Sequence, residues 1–444
     1  MGPPFLQVDI LRKDTMPGHD NLPPISILGS GYVGAVTGAG FANLGHNVWL
    51  VDIDPRKIEA VRDGRPPVFE PGLADLFSAN KMNLFGTTNI QEAVEHTAIS
   101  FLCVGTPQGV GGSQDLRQVE SACKALGSAV ARKSRHHTVI VKSTVLPGTT
   151  EDVILPIIER ESQKTRGDEF GIGVNPEFLQ EGSAVRDFQY PDRIVSGRRD
   201  EQTRMIMENL FKPFECPKIF VDLKTAEMVK FVNNAFLATK ISFANEIGNL
   251  CKKMGIDTSD VFQAVGLDRR INPAFFRSGI GFGGSCLPKD LNALIAHAEE
   301  LGIEHEILNA VRRINETQPE MMLYLLKRHL PDLKHRRIGI LGLSFKPGTD
   351  DIRESRAIPV IQRLEEEGAK VIAYDPKAMS PFQKLIPAIN YAQSANDVLK
   401  ADAVLIITEW EEFNYIDYSG KIVIDGRRID RARETARIYE GVCW

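Results

Sequence analysis

The stretch Ile25-Ser26-Ile27-Leu28-Gly29-Ser30-Gly31-Tyr32-Val33-Gly34 decides the first half of the fold. A short apolar run is followed at once by closely spaced glycines, which predicts a strand, a tight turn and a helix. The first glycine permits the turn, the second lets the backbone approach a pyrophosphate, and the third lets helix and strand pack closely. The helix N-terminus adds partial positive charge. The pattern therefore predicts a dinucleotide-binding loop whose contact residues are Gly29, Gly31, Tyr32, Val33 and Gly34.

An acidic residue follows the next apolar run and indicates which dinucleotide binds. Asp52 comes directly after Val48–Val51, where a carboxylate can accept hydrogen bonds from both ribose hydroxyls. The same charge repels a 2′-phosphate, so the sequence favours NAD over NADP. FAD binding and a purely structural glycine turn are the alternatives.

Working outward from this loop, short apolar runs alternate with helix-like segments. Strands are predicted at Val48–Val51, Ile99–Val104, Val139–Lys142 and Gly171–Val174, and again at Arg337–Leu343, Lys370–Ala373, Ala403–Ile407 and Lys421–Ile424. Alternation of strands and helices predicts parallel sheets that are covered on both faces.

The middle of the chain has a different character. Thr225–Gly255 contains no proline and only two glycines, and its apolar residues follow a 3,4 spacing, which predicts one long helix. Further helical stretches follow Lys289 and lie near 306–330. The predicted fold class is α/β, with two Rossmann-like doubly wound domains joined by a long-helix connector. The predicted boundaries are a flexible tail at 1–24, a dinucleotide-binding domain at 25–215, a helical and dimerising domain at 216–330, and a second α/β domain at 331–444.

Composition excludes several classes of protein. A net charge of −5 over 444 residues provides no basic field for nucleic acid, and no apolar run approaches the length of a membrane span. The six cysteines form neither a CxxC pair nor a zinc-like cluster with histidine, so neither a metal site nor a disulfide framework is expected. The N-terminal residues lack the order of a signal peptide, and a cytoplasmic location is expected.

The segment Gly279–Asp290, GIGFGGSCLPKD, carries the second chemical signal. Its glycines let backbone N–H groups crowd against a ligand, and Cys286 follows them directly. Lys289 and Asp290 are expected in the first turn of a helix capped near Ser285. A helix N-terminus and a nearby ammonium group both favour a thiolate, which makes Cys286 a candidate nucleophile. The alternative is that Cys286 is a small buried filler, which is the better interpretation of Cys103, Cys123, Cys216 and Cys251.

Over residues 25–430 the chain resembles the UDP-glucose/GDP-mannose dehydrogenase family. Beyond the two glycine loops, the resemblance rests on a series of motifs in order: Val104–Pro107, Lys142–Val145, Asn175–Gly182, Pro191–Arg193, Ala226–Lys230, Asn233–Asn234, Gly342–Pro347, Asp351–Ser355 and Asp425–Arg428.

The resemblance implies an alcohol-to-acid oxidation of a nucleotide sugar with two NAD. Cys286 would hold the aldehyde as a thiohemiacetal, whose oxidation gives a thioester that water cleaves. Lys230 and Asn234, four residues apart on one helix face, would reach the same substrate oxygen. Asp290 would position a water or act as base with Thr144, and Glu177 would be the base for thioester hydrolysis. Lys230 as a solvated helix residue and Glu177 as a helix-start carboxylate are the alternatives.

The resemblance also implies binding residues and partners. The implied cofactor contacts, besides the glycine loop, are Asp52, Lys57, Thr106, Thr144, Glu181, Lys289 and Arg353. The implied substrate contacts are Glu177, Phe178, Leu179, Gln180, Glu181, Lys230, Asn234, Arg270, Phe275, Phe276, Arg277, Ser278, Gly279, Gly283, Lys346 and Arg427. Surface salt bridges are the alternative for Arg353 and Arg427. The residue matching Arg270 reaches across a subunit interface in related dimers, so a homodimer or dimer-based oligomer is expected. The second α/β domain would bind the nucleotide diphosphate, and closure about the helical connector would exclude water.

The sugar itself is less tightly specified. By the same resemblance, the cysteine loop is similar to those of UDP-glucose and GDP-mannose enzymes, and Ser285 stands where the N-acetylhexosamine branch tends to carry histidine. Because Val68–Leu73 resembles the UDP-glucose type, UDP-glucose, which would give UDP-glucuronate, is favoured over GDP-mannose or another UDP-hexose. A single-hydride dehydrogenase of the 6-phosphogluconate or hydroxyacyl type would need neither Cys286 nor residues 335–444. A non-enzymatic, NAD-responsive regulator would keep the loop and Asp52 but would not need Cys286 together with Lys230.

Overall fold

The computed structural model describes residues 22–444. Residues 1–21 of the tail predicted at 1–24 therefore lie outside the described residues. The chain divides into two compact units, of which the first ends at Lys230 and the second is Phe231–Trp444. Within residues 22–444, no helix is both long and apolar enough to cross a membrane.

The first unit is built on one eight-stranded sheet. Its strands are β1 Ile25–Leu28, β2 Val48–Val51, β3 Leu84–Thr87, β4 Ile99–Leu102, β5 His137–Val141, β6 Phe170–Val174, β7 Ile194–Arg198 and β8 Lys218–Val221. They lie in the order β3-β2-β1-β4-β5-β6-β7-β8. The first six are parallel in the Rossmann order, and β7 runs antiparallel to β6.

Helices cover both faces of this sheet. They are α1 Tyr32–Asn43, α2 Pro55–Arg62, α3 Leu73–Ala79, α4 Ile90–Glu95, α5 Arg117–Ala131, α6 Leu155–Ser162, α7 Ala184–Gln189 and α8 Glu201–Phe211. Two separate apolar cores result, one containing the side chains of α1 and the other those of α5 and α6. All four residues of β1 are buried, which explains why that strand reads as an uninterrupted apolar run apart from Ser26.

The second unit repeats the Rossmann order in a smaller sheet. Its strands are β9 Arg337–Leu341, β10 Lys370–Tyr374, β11 Asn390–Tyr391, β12 Ala403–Ile406, β13 Ile422–Asp425 and β14 Ile438–Gly441. All six are parallel, in the order β11-β10-β9-β12-β13-β14. The α/β fold class with two Rossmann-like sheets is thus confirmed.

The remaining helices begin with the long one predicted from the sequence. They are α9 Leu223–Met254, α10 Thr258–Gly266, α11 Leu287–Glu300, α12 Glu306–Thr317, α13 Glu320–His329, α14 Ala357–Glu366, α15 Met379–Leu385, α16 Ala395–Val398 and α17 Asp430–Thr435. Short 3-10 or π turns lie at Lys81–Asn83, Val110–Gly112, Thr150–Ile154 and Glu411–Tyr415. The boundary between the two units falls inside α9.

The structure corrects three details of the sequence interpretation. The first sheet is not wholly parallel, because β7 pairs with β6 in the antiparallel sense. The stretch 216–330 is not all helical, because β8 at Lys218–Val221 adds the edge strand of the first sheet. The helix expected near 306–330 is two helices, separated where Gln318 and Pro319 lie between α12 and α13. The four-part division into domains stays a prediction.

Candidate active site

The glycine loop after β1 has the close packing that its sequence predicts. Gly29 adopts φ +99°, and a Cβ there would lie 2.7 Å from the carbonyl oxygen of Cys103. A Cβ on Gly34 would lie 1.8 Å from the carbonyl oxygen of Gly29, so only glycine lets α1 approach β1. A Cβ on Gly31 would meet nothing within 4 Å. Open space therefore lies beside Gly31 at the start of α1, which fits a pyrophosphate at the helix N-terminus.

Asp52 lies at the carboxyl end of β2 and contacts this loop. Its Oδ2 accepts hydrogen bonds from the Ser30 amide at 2.9 Å and the Ser30 hydroxyl at 2.8 Å, and lies 3.2 Å from Lys57 Nζ. Burial works against ionisation of Asp52, but the hydrogen bonds from Asp54 and Ser30 and the charge of Lys57 leave its pKa below the usual value. The carboxylate is thus ionised and fixed beside the loop, and its contact with a ribose stays a prediction.

The ends of β4 and β5 bring two further predicted cofactor residues together. Thr106 Oγ1 donates to the Thr144 carbonyl oxygen at 2.8 Å. Gln114 Nε2 donates to the same oxygen at 2.7 Å. Carboxyl ends of parallel strands are where ligands bind in this fold, and the cofactor contacts expected of Thr106 and Thr144 stay predictions.

Glu177 and Lys230 form a buried ion pair in the first unit. Lys230 Nζ lies 2.7 Å from Glu177 Oε1, and Glu177 Oε2 accepts from the Leu179 amide at 2.7 Å. Burial opposes ionisation of Glu177, but the charge and hydrogen bond of Lys230 outweigh it and hold the pKa of the carboxyl below its usual value. Lys230 is 4% exposed, so it is not a solvated helix residue. Glu177 does not start a helix, because α7 begins only at Ala184.

A second buried lysine lies beside this pair, and the sequence interpretation assigned it no role. Lys142 Nζ donates to Asn175 Oδ1 at 2.8 Å, and burial lowers the pKa of Lys142. The sequence did contain a signal for Lys142 and Asn175, since both residues belong to motifs of the family resemblance.

The sequence also indicates no individual role for Glu70, which lies in the motif Val68–Leu73. Its carboxylate accepts from the Gly182 amide and the Ala184 amide, each at 2.8 Å. It thereby caps α7 and fixes the end of the segment Glu177–Gly182, which holds five of the predicted substrate residues. In the same segment, the Gln180 backbone amide donates a hydrogen bond to Asp187 Oδ2 at 2.9 Å.

In the second unit, Cys286 occupies the N-cap position of α11. Its side chain is exposed, whereas those of Cys123, Cys251 and Cys443 are buried and those of Cys103 and Cys216 are partly so. Burial raises the pKa of Cys103, Cys123 and Cys443 to about 12, so these thiols stay protonated at neutral pH. The filler interpretation is therefore wrong for Cys286.

The N-cap expected near Ser285 is Cys286, one residue later. The helix therefore begins at Leu287, and the Cys286 side chain makes no capping hydrogen bond to the amides of the first turn. Pro288 in the first turn has no N–H to offer, which removes one of the donors that a cap would satisfy. Ser285 Oγ lies 3.5 Å from Cys286 Sγ instead.

Asp290 lies in the first turn of α11 as predicted, and both of its carboxylate oxygens are engaged. Asn234 Nδ2 donates to Oδ2 at 2.6 Å, and Lys289 Nζ donates to Oδ1 at 2.6 Å. Asn234 in turn accepts from Asn233 at 3.1 Å. Asn234, Lys289 and Asp290 are thus brought together as one hydrogen-bonded group at the start of the helix that carries Cys286.

The predicted substrate segment Phe275–Gly279 follows α10 as an irregular loop. Phe275 has φ +67°, and Phe276 stacks on Phe262 with ring centroids 4.9 Å apart. Lys240 of α9 donates to the carbonyl oxygens of residues 271 and 272 and lies 4.3 Å from the centre of the Phe276 ring. The loop is therefore fixed from α9. Arg277 and Ser278 continue it, and the Gly279 amide donates to Asn245 Oδ1 at 2.8 Å.

The remaining predicted cations have different surroundings. Arg270 is exposed and pairs with Asp268 at 2.6 Å, and Arg353 pairs in the same way with Asp351 at 2.5 Å. Arg427 Nε donates to the carbonyl oxygen of residue 407 at 2.7 Å and lies 3.4 Å from Glu409. Lys346 Nζ lies 5.5 Å from the centre of the Phe345 ring. The expected ligand contacts of these four residues stay predictions.

Comparison with known proteins places this geometry in a family. Three domain models of the UDP-glucose/GDP-mannose dehydrogenase family match in order: the NAD binding domain at 24–215, the central domain at 224–317 and the UDP binding domain at 339–431.

Individual relatives match over nearly their whole length. The chain is 46% identical over 421 residues to a UDP-glucose 6-dehydrogenase of Haloferax volcanii, covering 92% of this chain and 98% of the relative. It is 37% identical over 439 residues to a GDP-mannose 6-dehydrogenase of Pseudomonas aeruginosa, covering 95% and 100%. A solved UDP-glucose dehydrogenase from Pyrobaculum islandicum is 44% identical, with a TM-score of 0.93 over 97% of this chain and 99% of that one. The chain is therefore an NAD-dependent oxidoreductase that belongs to the UDP-glucose/GDP-mannose dehydrogenase family.

Proposed function

We propose that this protein oxidises UDP-glucose to UDP-glucuronate with two NAD, with Cys286 as the covalent nucleophile. The observation that carries the proposal is the exposed thiol at the N-cap of α11, with Lys289 and Asp290 in the first turn of that helix. A helix N-terminus and a neighbouring ammonium group favour the thiolate, which is the reactive form. UDP-glucose is proposed as substrate because the Haloferax and Pyrobaculum relatives are named for it.

The cysteine solves a chemical problem in the second oxidation. Loss of one hydride and one proton from the C6 alcohol gives an aldehyde, which has no carbinol hydrogen of the kind oxidised in the first step. Addition of the Cys286 thiolate to the carbonyl carbon forms a C–S bond, and protonation of the oxygen gives a thiohemiacetal, which has one. Loss of the hydroxyl proton and of the second hydride from the thiohemiacetal gives a thioester. Water then attacks that carbon and loses two protons, the C–S bond breaks, the sulfur departs as thiolate, and the product is the carboxylate. NAD, when bound, accepts the hydride in each oxidation.

The ion pair in the first unit supplies charge of both signs. We assign Lys230 to stabilising the negative charge that develops on the substrate oxygen, as an oxyanion-hole donor does. We assign Glu177 to accepting a proton from the hydrolytic water. Its lowered pKa keeps it ionised at neutral pH and so able to accept, and Lys230 fixes its orientation.

The hydrogen-bonded group of Asn234, Lys289 and Asp290 is assigned to orienting the reacting molecules rather than to nucleophilic attack. Asn234 and Lys289 hold one carboxylate oxygen of Asp290 each, so that the carboxylate has one orientation. We assign Asp290 to positioning a water or receiving a proton together with Thr144. Asn234 would contribute a second polar group toward the substrate oxygen. The other NAD and substrate contacts predicted from the sequence are proposed unchanged.

The identity of the nucleotide sugar is tested by comparing the enzyme's kcat/KM for three substrates. Purified enzyme is assayed for kcat/KM with UDP-glucose, GDP-mannose and a UDP-N-acetylhexosamine at saturating NAD. We expect UDP-glucose to exceed each of the others by at least about 100-fold, since several polar contacts to the sugar and the base must be lost together. A preference for GDP-mannose would keep the mechanism and refute the sugar assignment.

We further propose that the protein is a homodimer or a dimer-based oligomer. Val232, Phe236, Phe243, Leu250 and Met254 of α9 are all exposed. At 3.6 residues per turn these five side chains lie within about 40° of arc, which places them in one apolar stripe along the helix. A stripe of this kind on a 32-residue helix is suited to pairing with the same helix of a second copy.

Sedimentation velocity tests the dimer. The double variant Phe236→Glu, Leu250→Glu should sediment as a monomer, whereas the control Met82→Glu, which changes an exposed apolar residue far along the chain from α9, should keep the wild-type size. A double variant that retains the wild-type oligomer would refute the assignment of this stripe as the interface.

A further inference from the structure

The segment Gly279–Gly284 leads to Cys286 and contains no helix or strand. Four of its backbone groups are nevertheless held by three side-chain amides. Asn245 Oδ1 accepts from the Gly279 amide at 2.8 Å, and Gln318 Nε2 donates to the Gly279 carbonyl oxygen at 2.7 Å. Asn315 Oδ1 accepts from the Phe282 amide at 2.7 Å, while Asn315 Nδ2 donates to the Phe282 carbonyl oxygen at 3.0 Å. We call Asn245, Asn315 and Gln318 the amide clamp.

The members of the amide clamp are among the most buried polar residues of the second unit. Asn245, Asn315 and Gln318 are 0%, 5% and 2% exposed, respectively. A buried amide that loses its partner keeps its full desolvation cost, so each of these hydrogen bonds is strongly favoured over its absence. The clamp therefore gives an irregular segment one conformation, much as a neighbouring strand would.

Asn315 is the central member because it pairs with both polar groups of one residue. A Cβ on Gly281, which has φ +92°, would lie only 2.5 Å from Asn315 Oδ1. The loop is thus pressed directly against the Asn315 side chain, and glycine at 281 is what permits it. Beyond Phe282, the Gly284 amide donates to the Arg353 carbonyl oxygen at 2.9 Å, and α11 begins three residues later.

Covalent catalysis is sensitive to this kind of support. The attacking atom must lie about 3–3.5 Å from the carbonyl carbon, and a misplacement of about 1 Å costs on the order of 100-fold in rate. Cys286 is four residues from the Phe282 pair. A change in the clamp would therefore move Sγ without touching the thiol itself.

We propose that Asn315 is a positioning residue that sets the location of the Cys286 thiolate at the start of α11. The inference rests on the proposed role of Cys286. It predicts that loss of the Phe282 pair slows the covalent step while NAD binding, which is assigned to the glycine loop of the first unit, stays intact.

The decisive variant is Asn315→Asp, which keeps the size of the side chain and an acceptor for the Phe282 amide. It replaces the donor to the Phe282 carbonyl oxygen with a second oxygen. The matched control is Asn309→Ala, on the same helix, whose Oδ1 accepts from Arg312 at 3.0 Å. Three quantities are measured well below the melting temperature: kcat, the KM for NAD, and the rate at which iodoacetamide alkylates Cys286 in the substrate-free enzyme, read by peptide mass for each cysteine.

We expect Asn315→Asp to lower kcat about 10- to 100-fold and to leave the KM for NAD within about twofold. Alkylation of Cys286 should slow at least threefold at pH 7, because a displaced sulfur loses the favourable end of the α11 dipole. Asn309→Ala should match the wild type in all three. A folded Asn315→Asp enzyme with unchanged alkylation, or a fall in kcat that only follows the unfolded fraction, would overturn the proposal. If Asn315→Asp does not fold, Asn315→Ala and Gln318→Ala are judged by the same criteria.

Failure of the proposed function would look different. If Cys286→Ala retained two-step turnover, the role of Cys286 would be wrong. The alkylation rates of wild type and Asn315→Asp would still report whether the clamp sets the position of the thiol.

Discussion

The two Rossmann-like sheets have the same hydrogen-bonded turn at the end of their first strand, but the surroundings of the two turns differ. Gly29 follows β1 with φ +99°, and Gly342 follows β9 with φ +96°. In each case an aspartate after the second strand accepts hydrogen bonds from the amide and the hydroxyl of a serine in this loop. The pairs are Ser30 with Asp52 and Ser344 with Asp375.

The surroundings of the two aspartates differ. The Asp52 side chain is 10% exposed beside Lys57, and α1 starts at once at Tyr32. Asp375 is fully buried, Trp410 Nε1 donates to its Oδ2 at 3.0 Å, and α14 starts only at Ala357. Ser344 stands two residues after Gly342, where the first loop has Gly31 beside open space. We therefore propose that the first turn approaches the dinucleotide, whereas the buried Ser344–Asp375 pair of the second turn has a structural role.

Exchanging each aspartate for alanine should have a large effect, on stability in one case and on NAD binding in the other. Asp375→Ala leaves the buried amides of Leu343 and Ser344 without their acceptor, and should lower the free energy of unfolding by at least about 3 kcal/mol. Asp52→Ala should raise the KM for NAD about 10- to 100-fold, since a charged acceptor for the ribose hydroxyls is lost, and should cost less stability. Urea unfolding and NAD titration of both variants check this. Equal effects of the two variants on the KM for NAD would break the distinction between the loops.

Two glycines of the first loop sharpen the contrast between packing and ligand approach. Gly34→Ala places a Cβ on the Gly29 carbonyl oxygen and should destabilise the protein by about 3 kcal/mol or more, or prevent folding. Gly31→Ala has space for its methyl group and an ordinary φ of −72°, so stability should change by less than about 1 kcal/mol. The KM for NAD should nevertheless rise about 10-fold, since the methyl group occupies the space beside the pyrophosphate. Unimpaired NAD binding by Gly31→Ala would place the pyrophosphate elsewhere.

A carboxyl group of the second sheet should respond to pH in the opposite sense from Asp52. Burial raises the pKa of Asp425 to about 6, whereas the pKa of Asp52 is lowered. An acid whose pKa is higher in the folded state binds its proton more tightly there, so folding loses stability as pH rises from about 4 to 6 and loses no more above that. The destabilisation caused by Asp425→Asn should consequently be smaller at pH 7.5 than at pH 4.5, by about 2 kcal/mol. Denaturant unfolding at the two pH values measures this, and a pH-independent difference would contradict it.

The smallest predicted effect concerns the partner of Asp52. The Lys57 side chain is 34% exposed, and its ion pair with Asp52 spans 3.2 Å. Lys57→Ala should therefore change the free energy of unfolding by less than about 1 kcal/mol. The KM for NAD should rise about two- to threefold, because the lost positive charge near the ribose is already partly screened by solvent. A tenfold rise would make Lys57 as important as Asp52 and would require a direct contact with the cofactor.

The parts of this fold that could be predicted from sequence are those set by local rules. Glycine spacing identified the first loop, and the long stretch with a 3,4 apolar pattern identified α9. Strands β3, β7, β8, β11 and β14 were not predicted. Four of them, β3, β8, β11 and β14, lie at or next to sheet ends, and all five are defined by tertiary pairing rather than by a strong apolar pattern. The reversed direction of β7 likewise depends on pairing between distant segments.

In the candidate site too, some residues could be predicted from the sequence and others could not. Cys286, Lys230, Glu177 and Asp290 could be proposed because their residue types and motifs are chemically distinctive. Their partners could not be found, because the pairs Glu177–Lys230 and Asn234–Asp290 join residues more than 50 positions apart. Asn315 looked like an ordinary polar residue of an amphipathic helix, and only the structure reveals its contact with Phe282.

The central claim is the two-step covalent oxidation at Cys286, and it is tested by counting NADH per sugar. Purified enzyme is incubated with limiting UDP-glucose and excess NAD, alongside Cys286→Ala and the control Cys216→Ala, which changes a half-exposed thiol outside the proposed site. We expect two NADH per UDP-glucose for the wild type and for Cys216→Ala, with UDP-glucuronate as product, and loss of this turnover in Cys286→Ala. One NADH per sugar, unaffected by the loss of Cys286, would contradict it.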